Sequence, residues 1–258
     1  MGEHADVDFG KSADDYRKHR AGFPPELIER LKAFGVGRPK QRVLDLGTGT
    51  GTLARQFAKA GCAVTALDIS QAMITQAQAL DRESGVSVAY HVGRAEELPF
   101  SDEKFDLIIA GQCWHWFKRD AAAQSVRAHL KDNGSLVICH FDWIPLDDNV
   151  VAVTEQLILK HNPAWAFANG VGMYPAWLAD VARAGFERRE TFSFDLAVPY
   201  SPDDWVGRIR ASAGVGASLP PDQVKAFDAD LRQVLAERFP EKVLAVPHRV
   251  WSLVAGLS

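Results

Sequence analysis

Between residues 42 and 140, short apolar runs alternate with amphipathic stretches at a regular spacing. The runs VLDL, AVTALD, VSVAYHV, FDLIIA and SLVICHF read as strands, and stretches around 52–60, 70–80 and 118–131 read as helices between them. Continuous apolar runs separated by helices predict a parallel sheet covered on both faces, because each strand is then buried above and below. Ahead of this region, PPELIERLKAF at 24–34 opens with prolines and then sets Leu27, Ile28, Leu31 and Phe34 at helical spacing, which predicts a leading helix.

The pattern changes after residue 141. Segments 149–161 and 174–184 keep a helical period, FERRETFSFDLAVPY alternates like a strand, and RVWSLVAGL predicts another. The stretch between those two strands holds a helix at 221–238 and the glycine-rich piece ASAGVGASLPP. A connection that long is expected to have a task such as covering a binding site. The expected organisation is one α/β domain over 1–258, with a core of about 35–141, 174–198 and 243–258 and cap insertions of about 142–173 and 200–240.

Composition narrows the partners. Lys and Arg total 29 against 33 Asp and Glu, a net charge of −4 without blocks of like charge, which argues against a nucleic-acid or lipid-binding surface. Cys62, Cys113 and Cys139 are widely spaced, with no C-x-x-C pair and no histidines at zinc-ligand intervals, so no metal is expected and a reducing cytoplasm fits. MGEHADVDFG contains no apolar run, and Asp6 stands where a myristoylation signal needs Ser or Thr. Neither a signal peptide nor a lipid or membrane anchor is expected.

The most informative stretch is VLDLGTGTGTLA at 43–54: a buried strand ending in an acid, a turn with glycine at every second position, and a helix directly after it. Glycines allow positive φ and close approach of a ligand to the backbone, and the helix N-terminus offers free N–H groups. Asp68 ends the next strand, where a carboxylate can accept hydrogen bonds from both ribose hydroxyls. A nucleoside ligand is indicated. Gly49-x-Gly51-x-x-Ala54 also satisfies the dinucleotide pattern, which leaves an NAD(P)-dependent oxidoreductase as the rival reading. Asp45 argues against it, since its charge repels a pyrophosphate and suits a cation.

VLDLGTGTG at 43–51, VTALDI at 64–69, GRAEELPF at 93–100, KFDLIIA at 104–110 and NGSLVI at 133–138 resemble the successive motifs of class I S-adenosylmethionine-dependent methyltransferases, in the small-molecule subgroup called type 11. YRKHRAGFP at 16–24 and WHWF at 114–117 are similar to the trans-aconitate methyltransferase branch. The resemblance implies a Rossmann-like, seven-stranded, mostly parallel sheet with the last strand antiparallel and a helical cap, and S-adenosyl-L-methionine as cofactor. By the family's pattern, Asp45 neighbours the methionyl ammonium, and Gly47, Thr48, Gly49 and Gly51 line the methionine and ribose. Asp68 holds the ribose diol, Ile69 and Met73 flank the adenine, and the Ala95 backbone and Glu96 side chain read its edge. Gln112, Tyr16 and Arg20 complete the donor side. At Arg94 the sequence departs from the family, where an acid commonly follows the glycine.

For the acceptor side, the loop Gly111-Gln112-Cys113-Trp114-His115-Trp116-Phe117 follows the fourth strand at the carboxyl edge of the sheet. His115 is the candidate base or acceptor-orienting donor, among aromatic side chains that exclude water. Arg208 and Arg210 are candidates for an anionic acceptor. The acceptor is expected to be a small molecule, with carboxylate-bearing and hydrophobic compounds both open. A non-catalytic donor-binding module is the second rival.

Overall fold

The computed structural model describes residues 22–101 and 103–257. Seven strands form one sheet: β1 (Arg42–Leu46), β2 (Ala63–Asp68), β3 (Ala89–Val92), β4 (Phe105–Gly111), β5 (Leu130–Trp143), β6 (Arg188–Tyr200) and β7 (Leu244–Gly256), in the order β3-β2-β1-β4-β5-β7-β6. The pairs β1 with β2, β1 with β4, β2 with β3 and β4 with β5 are parallel, and the last strand is antiparallel. The chain first builds outward from β1 through β2 to β3, then returns to the other side of β1 to begin β4. That reversal leaves a crevice at the carboxyl ends of β1 and β4, the place where open α/β sheets take their ligands.

The helices are α1 (Pro25–Lys32), α2 (Thr52–Lys59), α3 (Gln71–Ser84), α4 (Arg119–His129), α5 (Val150–His161), α6 (Trp177–Arg183), α7 (Pro202–Arg210) and α8 (Pro221–Arg238), with a short 3₁₀ turn at Trp114–Trp116. Ser70 accepts a hydrogen bond from the Met73 N–H to start α3, and Gly85 at φ 65° ends it. α7 lies in the long connection between β6 and β7. Its signals are local: Ser201 accepts from the Asp204 N–H, Pro202 opens the helix, and Trp205, Val206 and Ile209 are buried.

One boundary differs from the expectation for an instructive reason. The helix expected over 118–131 stops at His129, because Leu130 already pairs with Phe105 in the sheet. The register then shifts before Leu107 meets Ser135. Gly134 sits in this bulge, where a Cβ would lie 2.9 Å from the Lys131 carbonyl oxygen and 3.0 Å from that of Phe105, so a side chain is excluded by backbone.

The described chain divides into two compact units. The first comprises 22–141, 174–193 and 250–257; its core includes Leu44, Leu46, Leu67, Ile108, Trp114, Leu136, Ile138, Trp177, Phe186 and Trp251. The second comprises 142–173 and 194–249, with a core of its own around Ile158, Trp205, Ile209, Phe227, Leu231 and Val246. Within it Glu155 accepts from the Trp143 indole N–H at 2.8 Å and the Asn169 N–H at 2.7 Å, and Trp205 donates to Thr154 Oγ1 at 3.0 Å. These three buried polar side chains are thus paired inside the apolar packing.

Candidate active site

β1 ends at Leu46 and residues 47–51 turn the chain into α2. Asp45, 1% exposed, accepts at Oδ2 from the Thr48 hydroxyl at 2.7 Å and from the Ala54 N–H at 3.2 Å. The carboxylate therefore ties the end of the strand to the first turn of the helix. Burial pushes its pKa up from 3.8 to about 7; the two hydrogen bonds and Arg55 pull downward, and Asp68 pushes upward. At the end of β2, Asp68 accepts from the Gly49 N–H through Oδ2 and from the Ser70 N–H through Oδ1, each at 2.8 Å. An ionised carboxylate has about four acceptor sites, so two remain for a ligand.

Gly47, Gly49 and Gly51 all have positive φ, at 59°, 54° and 76°, yet their surroundings differ. A Cβ on Gly47 would lie 2.9 Å from Cys113 Cβ, and one on Gly51 would lie 2.6 Å from the Tyr90 hydroxyl. At both positions the space is taken by protein. A Cβ on Gly49 would meet nothing within 4 Å. Ile69, directly after Asp68, is 70% exposed, an unusual placement for a large aliphatic residue unless something lies on it. The turn thus offers a bare backbone at Gly49, with the Asp68 carboxylate and an apolar ledge beside it and the buried Asp45 carboxylate holding it to α2, a set of features that fits a cationic nucleoside.

The other expected donor-side residues are placed as follows. Met73 is 6% and Ala95 4% exposed, both inside the core, and the Glu96 carboxylate accepts from the Lys118 N–H at 2.8 Å. Gln112, at φ 60°, donates through Nε2 to the Phe141 carbonyl and accepts at Oε1 from its N–H, both at 3.0 Å, so its amide bridges the ends of β4 and β5. Tyr16 and Arg20 lie outside the described residues.

The loop after β4 packs directly against the glycine turn. Cys113 Sγ donates to the Leu46 carbonyl at 3.1 Å, and Phe117 Cζ lies 3.3 Å from where a Gly47 Cβ would be. The next residue, Trp114, is fully buried, and its indole N–H donates to Asp180 Oδ2 at 3.3 Å. Asp180, itself 3% exposed, also meets Arg119 at 3.4 Å and Arg183 at 2.8 Å. This carboxylate holds the 3₁₀ turn and therefore sets where His115 lies. Asp180→Ala should cost about 1–3 kcal/mol in urea unfolding, because the buried indole N–H loses its acceptor, while the arginines stay solvated. Asp180→Asn, which keeps an acceptor, should cost less.

His115 lies 4.6 Å from Trp116 and 5.3 Å from His140, ring centre to ring centre. His140 lies in turn 4.3 Å from Tyr174 and 4.9 Å from Trp177, and Tyr174 packs edge-on to Trp251 at 5.7 Å. Sequence reasoning missed His140 and Asp180. A signal for His140 existed: it is the sixth residue of SLVICHF, and since Gly111 pairs with Cys139, the next residue stands beside the loop leaving β4. Of the two candidate arginines, Arg210 pairs with Asp228 at 2.7 Å, and Arg208 lies over the Trp143 ring at 4.7 Å. Among the described residues no cluster of His, Cys, Asp and Glu could hold a metal ion.

A family described as Methyltransferase domain matches residues 43–134. YcgJ of Bacillus subtilis, an uncharacterised methyltransferase, is 30% identical over 78% of this chain and 78% of its own. The ubiquinone/menaquinone biosynthesis C-methyltransferase UbiE of Bordetella avium is 31% identical over 65% of this chain and 73% of its own. Other curated relatives are matched over only 38% and 57% of their length. The structure of a Haemonchus contortus phosphoethanolamine N-methyltransferase with S-adenosyl-L-methionine bound aligns over 99% of this chain and 58% of that one, at TM-score 0.57 and 18% identity, a likeness of fold.

The chain belongs to the class I S-adenosylmethionine-dependent methyltransferases. Within that class it is of the type 11 kind, and S-adenosyl-L-methionine is its cofactor.

Proposed function

We propose that this enzyme methylates a small molecule, with the donor held in the crevice between the glycine turn and Asp68. The observation that carries this reading is the bare Gly49 backbone flanked by the carboxylates of Asp45 and Asp68, beside the exposed Ile69. Asp45 faces the methionyl ammonium, Asp68 accepts from the ribose hydroxyls, and Ile69 lies against the adenine, with Met73 and Ala95 backing it from the core. Thr48, Gly47 and Gly51 shape the turn, and Gln112 closes its far side. Glu96, which holds the Lys118 N–H, is assigned the adenine edge only through its loop. Tyr16 and Arg20 remain proposed contacts to the methionyl end.

The donor supplies, when bound, a methyl carbon on a positively charged sulfur, open to direct displacement. What the chain contributes is alignment and the exclusion of water, which together can lower such a barrier by about 7–11 kcal/mol. His115 sits on a turn anchored through Trp114 and Asp180, and in this reading its ring orients the acceptor or takes its proton. His115→Ala should lower kcat by about a hundredfold for a hydroxyl, thiol or amine acceptor and leave donor affinity unchanged. Unchanged turnover would remove the histidine from the mechanism.

The relatives support a small molecule as acceptor, the ubiquinone/menaquinone biosynthesis C-methyltransferase UbiE among them. Carboxylate-bearing and hydrophobic acceptors both remain in the proposal, without nucleic acid or membrane as partner. The three cysteines are free thiols, which supports a reducing compartment such as the cytoplasm. Among the described residues no helix is long and apolar enough to cross a membrane.

The test is a thermal-shift comparison of S-adenosylhomocysteine with NAD, followed by mass spectrometry of a metabolite extract incubated with enzyme and labelled donor. Stabilisation by the first ligand alone and a labelled small product are expected. Stabilisation by NAD would favour an oxidoreductase, and donor binding without any product would favour a binding module.

A further inference from the structure

Behind the glycine turn lies a buried polar group that neither the donor nor the acceptor side has used. Tyr90 on β3 donates its hydroxyl to Asp81 Oδ2 at 2.9 Å, and Arg55 on α2 donates to Asp81 Oδ1 at 3.1 Å and to the Ala77 carbonyl at 3.5 Å. The Arg55 and Asp81 side chains are 13% and 7% exposed. Three elements, α2, α3 and β3, thus each contribute one member. Both outer members press on the turn: a Cβ on Gly51 would lie 2.6 Å from the Tyr90 hydroxyl and 2.9 Å from Arg55 Nη1. Gly51 in turn is the residue that caps α2, and its carbonyl accepts the Arg55 N–H at 2.9 Å.

We propose that Tyr90, Asp81 and Arg55 act as positioning residues for the methyl donor, fixing the glycine turn from behind and placing a fixed positive charge behind Asp45. The proposal rests on the donor reading given above. Arg55 is held by Asp81, which is itself held by the Tyr90 hydroxyl, so the guanidinium cannot swing away to solvent and its charge is preorganised beside the glycine turn. Asp45 feels it: Arg55 favours the carboxylate form, against burial and against Asp68 on β2. Among the described residues, Tyr90 and Cys139 on β5 also feel Asp45, and burial pushes both toward the protonated form, so neither adds a competing charge. A cationic donor needs Asp45 ionised. The buttress therefore extends donor affinity toward lower pH.

The experiment is calorimetric titration of the protein with S-adenosylhomocysteine between pH 6 and 8.5. Wild-type affinity should rise with pH as Asp45 loses its proton around pH 7. In the paired substitution Arg55→Met with Asp81→Asn, which removes both charges and leaves no orphan carboxylate, this rise should move to higher pH. The affinity should be weaker by at least about threefold at pH 7, and the gap should narrow toward pH 8.5. Arg55→Lys should restore the wild-type profile, because it keeps the charge. Arg55→Gln, which removes the charge while Tyr90 still donates to Asp81, covers the case in which the paired variant does not fold; it should move the rise to higher pH in the same way. A loss by one constant factor at every pH, or no loss, would overturn the proposal. A wild-type protein that ignores S-adenosylhomocysteine would instead refute the donor site itself.

Discussion

Asp45→Asn is expected to stabilise the ligand-free protein at alkaline pH and to weaken S-adenosylhomocysteine binding about 10- to 100-fold. Both effects follow from one buried carboxylate. Its folded pKa is about 7 against 3.8 in the unfolded chain, so between these values the folded state holds a proton that the unfolded state has released. Wild-type stability from this group is complete below pH 4 and is lost as pH rises to 7, after which the deficit is constant. Each pH unit in that window is worth about 1.4 kcal/mol. Asparagine does not titrate, and its side-chain oxygen can still accept from Thr48 and Ala54. The variant should therefore gain about 2–3 kcal/mol on wild type between pH 5 and pH 8, read from urea unfolding at the two values. The binding loss reflects a charge-assisted contact worth about 1.5–3 kcal/mol. A stability difference that does not change with pH would mean that Asp45 is ionised throughout.

The same group illustrates what the sequence could and could not tell. VLDLGTGTG located the strand, the turn and the helix to within a residue, since buried strands and glycine turns leave local signatures. AVTALD coincides with β2 and 221–238 with α8. Which glycine faces the open crevice was not legible, because Gly47 and Gly51 are hemmed in by Cys113, Tyr90 and Arg55, residues 39 to 66 positions away or placed by a helix turn. Asp180 was invisible for the same reason: it gains its meaning from a partner brought near by α6, and such a pairing leaves no mark on local periodicity, whereas His140 did have a signal in its place in SLVICHF. The end of α4 was misjudged because sheet pairing at Leu130 overrides a helical pattern that continues for two more residues.

Substituting alanine at Gly49 and at Gly51 should yield opposite failures from the same turn. Both residues have positive φ, so each alanine carries a similar backbone strain of about 1–2 kcal/mol. At Gly51 the new methyl group would also lie 2.6 Å from the Tyr90 hydroxyl and 2.9 Å from Arg55 Nη1, inside a buried hydrogen-bonded group with little freedom to yield. Overpacking of this kind typically adds about 1–3 kcal/mol, so Gly51→Ala should lose about 2–5 kcal/mol in urea unfolding. At Gly49 nothing lies within 4 Å, and the variant should fold with only the strain penalty. Its defect should appear in ligand binding, because the methyl group occupies space into which the donor must come. Calorimetry with S-adenosylhomocysteine should show at least about a tenfold weaker affinity, equivalent to 1.4 kcal/mol or more. The shared strain acts as an internal control: it cancels when the two variants are compared, leaving packing at one position and ligand approach at the other. If Gly49→Ala bound the product as tightly as wild type, the open side of that backbone would not be the face that meets the donor, and the crevice would have to be reassigned to the opposite wall of the turn.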